Sequence, residues 1–342
     1  MPTVRPTADG SSGPGPLLER ADQLAALDAS RASMLQTRHG RMVFIGGEAG
    51  VGKSALARRF CDGCTNAVRV FSGACDPLFT PRPLGPLLDI APLIGGDVEA
   101  LAERGGRPYE IAAALMRELA TGTPAILLIE DVHWADEATL DVLRLLARRI
   151  ETIPALILVT YRDELERTHP LRMLLGELPP GEAIVRLHLA PLSAEAVAEL
   201  AEPQGVDAQD LFGKTAGNPF FVTEALAAAD DVIPPTVRDA VLARVSRLPS
   251  AALELLEAVA IVPQQTELWL LEQLAGDRLQ HLDACLGSGI LAPADGAVGF
   301  RHELARLAIE AQLSPIRRAA LHRRALRALE TPPAAEPDLA RL

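Results

Sequence analysis

The sequence predicts an α/β fold built on a five-stranded parallel sheet, followed by two smaller, mostly helical regions. Three observations carry this reading. The pattern G-x-x-x-x-G-K-[ST] is met at every fixed position by Gly47, Glu48, Ala49, Gly50, Val51, Gly52, Lys53 and Ser54, between a short apolar strand and a helix. Strand-length apolar runs then alternate with helical stretches as far as Leu189, the order that produces parallel strands covered on both faces. After Pro191 the strand signals nearly vanish.

The first sixteen residues are rich in Pro, Gly, Ser and Thr and hold no apolar stretch, so they read as a disordered tail and not a signal peptide. From Leu17 to about Gln36 the spacing of Leu24, Leu27 and Leu35 predicts a helix, closed by Gly40. Strands are expected over Arg41 to Gly46, Ala67 to Ser72, Ala125 to Glu130, Ala155 to Tyr161 and Ile184 to Leu189. Together these make a P-loop ATPase domain over 17–190. Short amphipathic helices at Ser193 to Ala201, Ala208 to Ala216 and Phe220 to Ala229 predict a small helical domain over 191–232. Further helices are expected at Pro235 to Arg247, Ala251 to Ile261 and Arg278 to Leu286. The apolar pieces Ile290–Ala292 and Val298–Phe300 flank an Asp295-Gly296 turn signal and predict a hairpin, so 233–330 reads as a winged-helix-like domain. The stretch 331–342, with Pro332, Pro333 and Pro337, reads as a linker or the start of a helical-repeat region, and its last residues look like a helix just beginning.

With 342 residues and an apolar fraction of 49%, the chain can bury two or three cores. Its longest apolar runs are strand-length, far short of the roughly 18–20 residues of a membrane span, so a cytoplasmic protein is expected. A net charge of −12 weighs against a nucleic-acid surface, which needs clustered cations. The basic residues Arg317, Arg318, His322, Arg323, Arg324 and Arg327 read as a solvated helix face. Cys61 and Cys64 form a single C-x-x-C, and Cys75 and Cys285 offer no second pair, so packing thiols are expected and not a metal or redox centre.

The loop's chemistry explains its spacing. Gly47, Gly50 and Gly52 permit backbone turns that a Cβ would obstruct, which lets successive N–H groups converge on a phosphate. The helix starting near Lys53 adds its partly positive N-terminus. Lys53 can reach the β and γ oxygens, and the Ser54 hydroxyl can ligate Mg²⁺. Only Lys53 and Lys214 among the 33 basic residues are lysine, so a compact ammonium at this position is a specific choice. ATP or ADP with Mg²⁺ is therefore the expected ligand.

Ala125 to Asp131 is an apolar strand ending in two carboxylates, the arrangement of a Walker B segment. The acids stand in the order Glu then Asp, which leaves their roles open. Glu130 is placed near the metal and Asp131 near the attacking water. The next strand ends at Val159-Thr160-Tyr161-Arg162, which sets Arg162 on the ligand-binding edge of such a sheet, either as a γ-phosphate reader or as a surface residue beginning a loop.

Taken together, the phosphate loop, Leu127 to Asp136, Val159 to Asp163 and Gly217-Asn218-Pro219-Phe220-Phe221 resemble the AAA-like signal-transduction ATPases with numerous domains. More narrowly they resemble the N-terminal ATPase part of large ATP-binding LuxR-type transcriptional regulators. The resemblance implies a slowly hydrolysing switch in which the helical domain over 191–232 is a lid that closes over the nucleotide through Gly217 and Pro219. It makes Arg162 a sensor and Arg20 an adenine-side contact, although Glu19 stands where the family has Gly. It sets His302 near the ADP β-phosphate, against the alternative of a packing histidine. His133 and Trp134 are expected to brace their loop. The resemblance also implies an inducer acting through a sensor region outside this chain and nucleotide-dependent self-association, while the net charge and the short apolar runs lead to the expectation of no nucleic-acid contact and no membrane association from this chain. Two other readings fit the same residues: a stand-alone or cyclase- or kinase-associated ATPase, and a scaffold that binds nucleotide without turnover.

Overall fold

The computed structural model describes residues 17–64, 68–77, 82–165, 168–178, 180–228 and 233–332. The expected tail over 1–16 and nearly all of the expected linker lie outside them. Strands β1 (Arg41–Gly46), β2 (Arg69–Ala74), β3 (Ala125–Glu130), β4 (Ala155–Thr160) and β5 (Ile184–His188) form one sheet in the order β2-β3-β4-β1-β5, with every neighbouring pair parallel. Helices α1 (Ala21–Thr37) and α2 (Lys53–Asp62) cover one face. Helices α3 (Gly85–Ile94), α4 (Val98–Glu103), α5 (Pro108–Ala120), α6 (Glu137–Ala147) and α7 (Pro170–Glu177) cover the other.

Two-sided cover is why β3 and β4 are apolar at consecutive positions and buried throughout. Alternation still assigns the faces: Leu127 and Ile129 pack with α3, α5 and α6, while Ile126 and Leu128 pack with α1 and α2. Strand β2 begins at Arg69 and continues past Ser72 to Ala74. A sequence reading stops early because Gly73 is a poor strand former, but a Cβ there would strike the Pro86 carbonyl, so α3 can pack on this strand only if the residue is glycine.

Beyond the sheet, α8 (Ala194–Ala201), α9 (Ala208–Thr215) and α10 (Pro219–Ala227) close a small core of Leu192, Val197, Ala201, Leu211 and Val222. Each starts on a side-chain cap: Ser193, Asp207 and Asn218 accept from Ala196 N, Asp210 N and Phe220 N. A third core gathers α11 (Pro235–Val245), α12 (Ser250–Ala260), α13 (Leu268–Ala275), α14 (Leu282–Gly287), α15 (Glu303–Glu310) and α16 (Pro315–Glu330). These surround an antiparallel sheet of β6 (Gln265–Glu267), β7 (Leu291–Ala294) and β8 (Ala297–Phe300), in the order β6-β8-β7.

The hairpin turns at Asp295-Gly296, where Gly296 has φ +65° and Ala294 pairs with Ala297. Strand β6 had no sequence signal, being three residues with no apolar alternation. The helix expected over Arg278 to Leu286 divides into a 3₁₀ turn over Gly276–His281 and then α14. Helix α10 serves two cores at once, with Val222 in the small one and Phe221 in the third.

Candidate nucleotide site

Because the sheet is parallel, the loops after β1, β3 and β4 leave it at one edge. This brings the phosphate loop, Glu130-Asp131 and Tyr161-Arg162 together, with β4 hydrogen-bonded directly beside β1. The phosphate loop needs its glycines: Gly47, Gly50 and Gly52 have φ of +150°, +83° and +99°. A Cβ at Gly52 would meet nothing within 4 Å, so this part of the loop faces open space. Lys53 opens α2, is 6% exposed, and donates from Nζ to Gly47 O and Glu48 O at 2.7 Å each. Burial pulls its pKa down to about 8, which leaves it mostly charged at neutral pH.

The two acids at the end of β3 diverge. Glu130 shares the face of Ile126 and Leu128 and therefore points at α2, where its Oε2 accepts from Arg58 Nη2 at 3.0 Å. Arg58 lies four residues after Ser54, on the same side of α2, so Glu130 and the Ser54 hydroxyl occupy neighbouring turns of that helix. The second oxygen, Oε1, is buried with no hydrogen-bond partner among the described residues. A hydroxyl and a spare carboxylate oxygen form a donor set that suits Mg²⁺.

Asp131 leaves the strand in the left-handed region at φ +56°, its N–H donating to Thr160 Oγ1 at 2.9 Å. Burial raises its pKa, opposed by the nearby charges of Arg162 and Lys53. Asp131 thus faces the lysine side of the site while Glu130 faces the serine helix.

Arg162 is half-buried and lies 5.7 Å from the Trp134 ring centroid, with Arg247 at 4.3 Å from the same ring. Trp134 is thereby a bridge between the sheet edge and the segment just after α11, a role no sequence signal revealed. His133 beside it is 7% exposed, and burial drives its pKa down to about 2. It is therefore neutral, and its 3.8 Å approach to Asp131 Oδ1 is not an ion pair at physiological pH.

Arg20 reaches the loop's backbone: Nη2 donates to Val51 O at 3.2 Å and to Ala190 O at 2.7 Å. These bonds tie the loop to the end of the sheet. The preceding Glu19 has φ +54°, the region that favours glycine, and its carboxylate accepts from Ser193 N at 2.9 Å and Ser193 Oγ at 2.6 Å. Those two bonds offset the strained backbone.

Both outer regions touch the phosphate loop. Asn218, fully buried, donates from Nδ2 to Glu48 Oε1 at 2.5 Å and to Ala49 O at 2.9 Å, and Phe220 N donates to Gly50 O at 3.2 Å. Gly217 permits this approach, because at φ +74° a Cβ would lie against the Leu192 carbonyl oxygen; Pro219 opens α10 immediately after the capping Asn218. From the third region, Arg301 Nη1 and His302 Nε2 each lie 3.7 Å from the Glu48 carboxylate.

His302 Nδ1 sits 2.9 Å from Thr215 O, a carbonyl that only accepts, so that nitrogen carries the proton. Burial lowers the His302 pKa to about 4 and raises that of Glu48. His302 is neutral at pH 7, and it is Arg301 that supplies the positive charge beside Glu48.

The fold and this edge define a P-loop ATPase domain. Residues 16–159 match the AAA ATPase domain family, and Arg162, Gly217 and His302 lie beyond the matched stretch. The fold is similar to that of a Walker-type ATPase of Pyrococcus abyssi, with a TM-score of 0.57 and 16% identity over 86% of this chain and 96% of that one. A signal transduction ATPase with numerous domains and a tetratricopeptide repeat sensor, from Pyrococcus horikoshii, aligns over 88% of this chain and 45% of that one at 21% identity, with a TM-score of 0.38. In sequence, an uncharacterized protein of Rhizobium meliloti (strain 1021) is 27% identical over 91% of this chain; the chain spans 36% of that relative's length. No helix among the described residues is long and apolar enough to cross a membrane.

Proposed function

We propose that this chain is the nucleotide-operated switch of a signal-transduction ATPase of the kind that resembles the ATPase part of LuxR-type regulators. ATP or ADP on the phosphate loop sets whether the lid and the winged-helix-like third region remain seated on it, and slow hydrolysis resets the state. The observation that carries this is the Asn218 amide, which bonds Glu48 and Ala49 of the loop while its own oxygen caps the helix of the lid. A phosphate that reorders the loop must therefore disturb the lid. His302 and Arg301 extend the same coupling to the third region through Glu48.

In this reading Gly47 to Ser54 hold the phosphates, Lys53 exchanging its two loop carbonyls for phosphate oxygens. Ser54 and Glu130 would hold Mg²⁺, which when bound supplies charge neutralisation at the β and γ oxygens. The spare, buried Oε1 of Glu130 supports that assignment. Asp131 orients water, Arg162 reads the γ-phosphate, and Arg20, Gly217, Pro219 and His302 shape the nucleotide's surroundings. An inducer acting through a sensor region outside this chain, self-association, a cytoplasmic location and control of transcription belong to the same proposal.

Replacing Arg162 by Ala tests it. ADP affinity should stay within about two-fold while affinity for a non-hydrolysable ATP analogue falls by about ten-fold or more, the order expected for one lost charge-assisted contact. Equal losses for both nucleotides in calorimetry would refute a sensor role.

A further inference from the structure

Glu130 is held by one oxygen only. Its Oε2 accepts from two nitrogens of a single guanidinium, Arg58 Nη2 at 3.0 Å and Arg58 Nε at 3.3 Å, while Oε1 is shut away from solvent with no hydrogen-bond partner among the described residues. The two side chains differ widely in exposure, 68% for Arg58 and 8% for Glu130. Arg58 thus reaches in from solvent to a buried acid and leaves one of its oxygens untouched.

An ion pair with one partner so exposed adds little to stability, because water screens it and a long side chain must be ordered to form it. What the contact fixes is direction. The terminal torsion of a glutamate turns over a broad range, and two nitrogens on one oxygen arrest that turn. Ser54 and Arg58 stand four residues apart on one side of α2, so the arginine grips Glu130 one turn from the hydroxyl. Arg59, also exposed, projects about 100° further round the helix. Carboxylates that bind metals are themselves hydrogen-bonded by an outer group that orients them, and Arg58 is placed to be that group.

We propose that Arg58 is a positioning residue for the divalent cation: it holds Glu130 by Oε2 so that Oε1 is presented, with the Ser54 hydroxyl, to the metal of the nucleotide complex. This rests on the reading of Ser54 and Glu130 as the Mg²⁺ pair and adds the group that orients it. Arg58 touches neither the nucleotide nor the metal in this arrangement. It acts through Glu130 alone.

Mn²⁺ takes the same oxygen ligands as Mg²⁺, and its free concentration is read by electron paramagnetic resonance, so it is the probe, titrated into the full chain held in excess over ADP. Arg58→Met should weaken Mn²⁺ binding by at least about ten-fold while ADP affinity in EDTA stays within about two-fold of the parent. Arg58→Lys keeps a counter-charge on the buried acid but cannot set two nitrogens on one oxygen, so it should lose less. Arg59→Met, which removes the same charge from the next position, should lose nothing. In a Glu130→Gln background, Arg58→Met should add no further loss, because a residue acting through Glu130 has no other route.

Mn²⁺ affinity that is unchanged or tighter in Arg58→Met overturns the proposal, as does an equal loss in the Glu130→Gln background. An ADP affinity that falls as far in EDTA makes Arg58 a structural residue and overturns it too. Unchanged Mn²⁺ affinity in Glu130→Gln alone instead removes Glu130 from the metal site, and with it the reading on which the proposal rests.

Discussion

Lys53→Ala is expected to abolish measurable nucleotide binding while leaving the protein folded. Its ammonium makes two 2.7 Å bonds to loop carbonyls, which β and γ oxygens would replace in the proposed switch. Two charge-assisted hydrogen bonds, at about 1.5–3 kcal/mol each, correspond to a loss of at least about 100-fold in affinity. Stability should move the other way. Lys53 is 6% exposed with a pKa lowered to about 8, so the folded protein bears the cost of a buried charge at neutral pH.

The sign follows from proton counting. Between the folded value and the unfolded value of about 10.4, the unfolded chain holds the extra proton, so parent stability should rise with pH across that window. The alanine variant should lack that rise. Denaturant titrations at pH 7.5 and 9.5 beside nucleotide calorimetry would check both halves, and retained affinity would remove Lys53 from the site.

Asn218→Asp is expected to detach the lid without uncapping its helix. The exchange is nearly isosteric and keeps the oxygen that accepts from Phe220 N, so α10 retains its start. What changes is the donor. An amide that bonds Glu48 Oε1 at 2.5 Å and Ala49 O at 2.9 Å becomes a second carboxylate facing the first, at a fully buried position. Losing two buried hydrogen bonds and adding a like charge should cost about 2–5 kcal/mol at the lid seam. Faster amide exchange over 217–227, with β3 and β4 unaffected, is the expected result. A loss confined to helix capping would instead leave exchange of the loop amides at 48–52 unchanged.

The sheet and the phosphate loop were legible because their signals are local. An apolar run such as Ala125 to Glu130 and a glycine pattern such as Gly47 to Ser54 carry their own geometry. The two acids were harder: their order leaves the roles open, and strand alternation separates them only once the α2 face is known, setting Glu130 on Arg58 and Asp131 on the lysine side. The place of Arg20 beside the nucleotide was suggested by a motif alone, and its guanidinium bonds to the backbone at Val51 and Ala190, separated from it by up to 170 residues, had no local signal.

Asn218 was visible only as part of a five-residue motif, and its bonds to Glu48 and Ala49 cross a similar distance. Arg58 gave no signal at all, since an arginine on a helix is ordinary until the fold sets it against Glu130. The hairpin at Asp295-Gly296 was readable from its turn, whereas its third strand, β6, was not.

In the proposed switch the γ-phosphate decides whether the outer regions stay on the phosphate loop. Amide hydrogen exchange of the parent chain, with saturating ADP and then with a non-hydrolysable ATP analogue, tests it most directly. With ADP, residues 218–222 and 301–306 should stay protected together with the loop. With the triphosphate, the loop amides at 47–54 should gain protection while exchange at 218–222 and 301–306 changes with them. The same protection at those two segments with both nucleotides would contradict it.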